Sequence, residues 1–220
     1  ETGAPLSCRE LRGCSARWKG RESIALLRKF GVPFVLLGRE FEDDPMDAVV
    51  WDDEKGGLLA AQHLLQKNCV HMVFLNAALE TSSAARRLKG YAQALTAAGQ
   101  SVRVCEAQPM AGGVRDALEA LFASGASVDA LFAYNDLMGF EAASWLLARG
   151  LAIPQDVRLA GFDNVLSSIS LPFGLTSISA DKGEEARRTV EMLLRRMETP
   201  DAPIARAVLD VRLVERESSR

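Results

Sequence analysis

Residues 130–163 read ALFAYNDLMGFEAASWLLARGLAIPQDVRLAGFD. An apolar run of strand length, 130–134, leads directly into Asn135-Asp136; a helical segment over 136–149 is stopped by Gly150; a second strand-like run, 157–160, leads into Gly161-Phe-Asp-Asn164. Short apolar runs alternating with helices of this length predict parallel strands joined by right-handed crossovers and buried on both faces. Polar residues that follow such strands gather at one edge of the sheet, where open α/β folds hold their ligands.

The same alternation extends in both directions. Upstream, 23–30 has helical character and ends at Gly31, 32–37 and 48–51 are strand candidates, and Asp52-Asp-Glu54 begins a helix with Leu58, Ala61 and Leu65 on one face. A strand at 71–75 is followed by Thr81-Ser-Ser83 as a capping segment and a helix to residue 98, ended by Gly99. Between these units, Asn68 stands where a glycine would be expected in a left-handed helix cap. A short strand at 102–105 and a helix at 114–122 complete the run up to residue 130. Downstream, 175–179 reads as extended, 181–197 as an amphipathic helix, and 207–214 as one alternating final strand after Pro200 and Pro203. Residues 1–22 show neither period and are expected to form a poorly ordered stub.

Composition narrows the functional classes. The 220 residues are 48% hydrophobic, ample for buried cores, and carry a formal net charge of -3. That balance gives no basic surface of the kind that tracks a phosphate backbone. Cys8, Cys14, Cys69 and Cys105 are too few and too irregularly spaced for a disulfide framework or a zinc site, so a reducing cytosol is the default compartment. No apolar run reaches the ~20 residues a membrane span requires. With His63 and His71 as the two histidines, and without a nucleophile elbow, Walker loop or dinucleotide fingerprint, no catalytic constellation, metal site or cofactor loop is expected.

Several motifs then fall in a specific order: Asp52-Asp-Glu-Lys-Gly-Gly57, His63-Leu64, Ser83-Ala-Ala-Arg-Arg-Leu-Lys-Gly-Tyr91, Leu131-Phe-Ala-Tyr-Asn-Asp-Leu-Met138, Ile153-Pro-Gln-Asp-Val-Arg-Leu-Ala-Gly-Phe-Asp163 and Leu175-Thr-Ser-Ile178. In order and spacing they resemble the effector-binding domain of the lactose/galactose-repressor family over residues 23–216, a fold shared with periplasmic sugar-binding proteins. The resemblance implies an α/β, periplasmic-binding-protein-like architecture of two doubly wound parallel-sheet lobes, the first incomplete. It divides the chain into 23–53 plus 175–200 for the first lobe and 54–174 plus 201–220 for the second. It further implies a cytoplasmic, homodimeric transcriptional regulator that senses a sugar or nucleoside-like effector and meets operator DNA only through a helix-turn-helix expected ahead of this sequence. The alternative is a periplasmic sugar receptor of a transporter. An incomplete first lobe would leave an exposed sheet edge, an aggregation hazard.

By the same resemblance, Arg87 is a donor fork to ligand oxygens, Asn135 a mixed donor and acceptor, and Asp163 an acceptor for paired hydroxyls. Ser83 belongs to the polar cluster after the 71–75 strand. Read without the resemblance, Arg87 is a solvated helix residue beside Arg86 and Lys89, and Asp163-Asn164 builds a turn. Asp136 is expected as a helix N-cap. Trp51 either stacks on a ligand ring or fills the core. In the loop after 102–105, where family members place an aromatic, Met110 offers a softer pocket wall.

Overall fold

The computed structural model describes residues 20–78, 81–108, 110–165 and 171–220. Two sheets organise it. A six-stranded sheet runs in the order β4 (Val104–Ala107), β3 (Met72–Ala77), β5 (Ala130–Ala133), β6 (Arg158–Phe162), β7 (Thr176–Ala180), β9 (Val211–Val214), parallel except for the last pair. A small parallel sheet joins β1 (Leu36–Leu37), β2 (Ala48–Trp51) and β8 (Arg206–Leu209).

Alternation along the central strands separates two cores. Met72, Phe74, Phe132 and Phe162 face the helices α2 (Asp53–Gln66) and α3 (Ser82–Ala97), together with Leu64, Tyr91 and Leu95. Val73, Leu75, Leu131 and Leu159 face α4 (Gly113–Ala123) and α5 (Asp136–Ala148), packing on Leu118, Phe140 and Leu146. Every residue of β3 is buried, the signature of a strand covered on both faces. Over the small sheet, Ile24 of α1 (Gly20–Lys29) packs with Leu36, Ala48 and Val50. There the buried Asp47 accepts a forked pair of bonds from Arg196 of α6 (Lys182–Glu198) at 2.8 and 3.0 Å, and a third from Ala205 N. Among the described residues the outer edge of β1 is unpaired, and Leu37 beside it is 54% exposed.

Local signals set most element ends. Asp52, Thr81 and Asp181 each cap a helix through a side-chain oxygen, and Asn68 takes φ +62° after α2, as expected of an asparagine replacing glycine. Several expectations fail. The alternating run 207–214 is two strands: β8 pairs in parallel with β2, and after Asp210 β9 pairs antiparallel with β7 in the other sheet. Consequently 175–200 is not a first-lobe segment throughout, because β7 belongs to the larger sheet, and 201–220 supplies β8 to the smaller one. Of 32–37, only Leu36–Leu37 is strand, and the strand expected at 102–105 is displaced to Val104–Ala107. Helix α1 begins at Gly20, inside the segment expected to lack structure, where Arg21 forks onto Asp43 at 2.6 and 2.8 Å; residues 1–19, with Cys8 and Cys14, lie outside the described residues.

The chain therefore crosses between the sheets three times, at Trp51–Asp53, Ala180–Lys182 and Leu209–Val211.

Candidate functional site

Two of these crossings, Trp51–Asp53 and Ala180–Lys182, border a cleft of about 230 Å³ lined by Gly38, Trp51, Asp53, Ser83, Arg87, Tyr134, Asn135, Asp163, Lys182 and Glu185. Its floor is the carboxyl edge of β5 and β6, as parallel strands demand.

Arg87 is the hub. Its side chain is 8% exposed; Nε donates to Asp53 Oδ1 at 2.8 Å, Nη1 to the Tyr134 carbonyl at 2.6 Å, and Nη2 lies 3.6 Å from Asp163 Oδ1. The guanidinium also stacks 3.5 Å from the Phe162 ring centroid and 4.6 Å from that of Tyr134. A solvated helix residue makes none of these contacts, so that simpler assignment is excluded. Burial holds the carboxyls of Asp53 and Asp163 above their ordinary range, although the Arg87 charge pulls both down.

The helix cap expected of Asp136 falls to Asn135 instead. Asn135 is the N-cap of α5, its Oδ1 accepting from Met138 N at 2.9 Å while the residue lines the cleft. Asp136, 1% exposed, instead accepts from Ser177 Oγ at 2.6 Å and Val165 N at 2.8 Å. The physical reason is the approach of β7. Ser177 arrives beside the helix start, and Gly161 leaves room, because a Cβ there would lie 2.3 Å from Asp136 Oδ1. Asp136 thus ties down the turn that presents Asp163, whose φ of +97°, followed by +49° at Asn164, is a backbone state side chains rarely adopt. Asn164 is held as well, by Ser177 and Ser179 of β7 and by Arg216 at 2.7 Å.

Burial pushes the Asp136 carboxyl up to about 6, with the hydrogen bonds from Ser177 and Val165 opposing it. A carboxyl whose folded value exceeds its unfolded value of ~3.9 stabilises the fold most below that value and loses its contribution as pH rises toward the folded value. Asp136→Asn keeps the shape and removes the titration. Its unfolding free energy, read by urea titration, should gain less than the wild-type protein's on going from pH 7 to pH 4.5, by about 2 kcal/mol. Parallel pH profiles for the two proteins would remove Asp136 as the titrating group.

Of its two alternatives, Trp51 takes the core-filling one, while also lining the cleft. It is 6% exposed and stacks on Phe162 at 5.8 Å, yet its Nε1 donates to Glu185 at 2.6 Å and Lys182 Nζ lies 3.9 Å from its ring centroid, all at the cleft wall. Ser83 also lies in the cleft, its hydroxyl 3.0 Å from Tyr134 OH. Met110 does not: it is 69% exposed and outside the lining, because β4 is the edge strand and its loop emerges to one side of the cleft. Lys182, Glu185, Tyr134 and Asp53 were not identified from sequence. The position of Tyr134 immediately before Asn135 was a usable signal for one of them.

Outside the cleft, His63 Nε2 is 2.7 Å from Ser219 Oγ and buried, and burial lowers its basicity. The buried Cys69 thiol is pushed up to about 11, so it is not poised as a nucleophile. Among the described residues, no group of three or more His, Cys, Asp or Glu is placed to hold a metal ion, and no helix is long and apolar enough to cross a membrane.

Comparison with known proteins places this geometry. The family described as "Periplasmic binding protein-like domain" matches residues 61–219. The chain is 25% identical over 169 residues to the HTH-type transcriptional repressor PurR of Aliivibrio salmonicida, covering 76% of this chain and 51% of that protein. Among solved structures it is similar to a transcriptional regulator CelR–cellobiose complex, with a TM-score of 0.79 and 28% identity over 88% of this chain and 61% of that one. It is also similar to a LacI family transcriptional regulator from Enterococcus faecalis with bound ribose, with a TM-score of 0.76 and 27% identity over 93% of this chain and 75% of that one. The chain spans about half the length of the curated relatives it matches.

Proposed function

The chain belongs to the periplasmic binding protein-like domain family, in the branch formed by the effector-binding domains of LacI-type transcriptional regulators, and from that membership we propose that its cleft senses a small neutral sugar and relays occupancy to DNA binding elsewhere in a longer protein. The observation that carries the proposal is the buried Arg87 fork beside Asp163, with Asn135 in the same cleft, where two of the chain crossings meet. Sugar hydroxyls donate and accept together, so a site that reads them combines a fixed donor, a fixed acceptor and an amide. The lining holds three carboxylates, Asp53, Asp163 and Glu185, against two cations, Arg87 and Lys182. That excess of negative charge favours a neutral polyol over a phosphorylated one.

A ligand held by Arg87 and Asp163 of the larger lobe and by Trp51, Lys182 and Glu185 at the crossings couples the relative angle of the lobes to occupancy. It drives a switch only through its differential affinity for the two arrangements. In a homodimer, that angle would set the spacing of paired DNA-binding heads on two half-sites. The relatives named above are regulators, which favours this role over that of a transporter's receptor and over catalysis.

Calorimetric titration of the 220-residue chain with ribose, glucose, galactose, cellobiose and adenosine tests the ligand class. Saturable binding of at least one sugar with one site per chain, accompanied by a raised unfolding temperature, is expected. Saturation by adenosine alone would move the effector to the nucleoside class, and no saturation by any of the five would overturn the small-molecule role of the cleft.

A further inference from the structure

Away from the crossings, the segment that follows β1 in the smaller lobe faces the start of α3 in the larger one. Two grooves separate these surfaces. The first, of about 500 Å³, lies between Glu40, Phe41 and Glu42 on one side and Thr81, Ser82 and Ala85 on the other. The second, of about 560 Å³, lies between Arg206 and Val208 of β8 and Arg86 and Lys89 of α3. Glu42 and Ala85 line both, so the grooves adjoin. Glu40 lines the first groove and Arg86 the second, and the two side chains form an ion pair that joins the lobes directly.

A freely exposed ion pair would be worth little, but this one is anchored. The Glu40 side chain is 13% exposed, and Arg206 of its own lobe forks onto it at 2.5 and 3.1 Å, while the neighbouring Phe41 packs on the Ile24 core. The hydrogen bond from Arg206 holds the Glu40 carboxyl below its ordinary range against the effect of burial, and the Arg86 charge adds to the lowering, so the group is ionised at neutral pH. The walls that carry the pair also carry cleft residues. Gly38 lines the cleft just before Glu40, and Arg87 follows Arg86 on α3. Adjacent helical positions diverge by ~100°, so Arg87 reaches into the cleft while Arg86 reaches across to the other lobe. At the crossings the lobes meet through apolar contact, with Trp51 stacked on Phe162. At α3 they meet through charges, which part and rejoin without repacking a core.

We infer that Glu40 and Arg86 form a latch between the lobes, which holds them at the angle that assembles the cleft and makes Arg86 a positioning residue for the effector. The inference rests on the effector-sensing role proposed above and goes further by naming a pair, outside the cleft, that sets the equilibrium between lobe arrangements. A ligand that needs the assembled cleft binds with an affinity reduced in proportion to the fraction of chains that have it assembled. Breaking the latch therefore weakens binding without removing any contact to the ligand.

Small-angle scattering of the ligand-free 220-residue chain reads the lobe angle, and calorimetric titration with ribose, glucose, galactose and cellobiose reads the affinity. Arg86→Gln should raise the radius of gyration and weaken sugar binding by about threefold to fivefold, the range expected for one partly exposed ion pair. Arg86→Lys keeps the cation and should restore most of both. Lys89→Gln removes a cation from the same helix whose partner, Glu54, lies in the same lobe, and should change neither. If Arg86→Gln fails to fold, Glu40→Gln breaks the pair from the other lobe with the same expected result. Wild-type scattering and affinity in Arg86→Gln, or an equal loss in Lys89→Gln, would overturn the latch and leave the sugar cleft standing. If no sugar binds the wild-type chain, the sugar-binding role falls, and the scattering comparison alone decides whether the pair holds the lobes.

Discussion

Arg87→Met is expected to abolish measurable sugar binding, a loss of at least about a hundredfold, and to destabilise the fold by about 3–5 kcal/mol at neutral pH. Arg87 is buried at the meeting point of Asp53, Asp163 and the Tyr134 carbonyl, so its removal strands two carboxylates that burial already disfavours. Methionine fills much of the same volume and packs on Phe162 and Tyr134, so the cost is charge and hydrogen bonding more than lost contact.

The pH dependence identifies the cause. Without the guanidinium, both carboxyls move further above their unfolded values, and the folded state binds more protons than the unfolded chain does. Stability then falls as pH rises from about 4 through the folded values, so the deficit of the variant is largest at pH 7 and shrinks at pH 5. Adding Asp53→Asn should recover part of the stability by neutralising one stranded group, and none of the binding. Urea unfolding at both pH values, with calorimetry on the same samples, reads all of this. A stability change within ~0.5 kcal/mol of wild type at pH 7 is what a solvated arginine would give, and would dismantle the hub.

How far the site was legible follows from which contacts are local. The strand-end positions of Asn135 and Asp163 could be read from 130–163 because a parallel sheet sends every strand end to one edge. The division of labour between Asn135 and Asp136 could not. Asn and Asp cap helices about equally well, and what removes Asp136 from the cap is Ser177, 41 residues away. The break at Asp210 left no trace in an alternating pattern, because β8 and β9 each keep period two while pairing in different sheets. The same crossings hide Lys182 and Glu185: read alone, they are the first turn of an amphipathic helix, and only the return of β7 from the larger sheet brings them to Trp51. Met110 failed in the other direction, as a loop residue assigned to the cleft without knowledge that its strand lies at the sheet edge.

The second large effect lies in a glycine pair. Where α2 and α3 pack, a Cβ on Gly57 would lie 2.1 Å from the Arg87 carbonyl oxygen, and one on Gly90 would lie 1.8 Å from that of Glu54. Both obstacles are backbone, so neither yields without moving a whole helix. Gly90→Ala gains ~1 kcal/mol of intrinsic helix propensity, yet must push the helices apart. The net destabilisation should reach about 3 kcal/mol, the upper end of overpacking costs. Since Gly90 lies one turn from Arg87, and Glu54 is next to Asp53, the same separation stretches the 2.8 Å Arg87–Asp53 bond and weakens sugar binding as well. Gly183→Ala is the control: it too lies in a helix, but its Cβ would meet only the Asp181 side-chain oxygen, at 3.2 Å, so its effect on stability should stay within about 1 kcal/mol. Urea midpoints of the two variants should therefore move apart, and a Gly90→Ala protein as stable as the control would mean that α2 and α3 do not approach closely enough to set the position of Arg87.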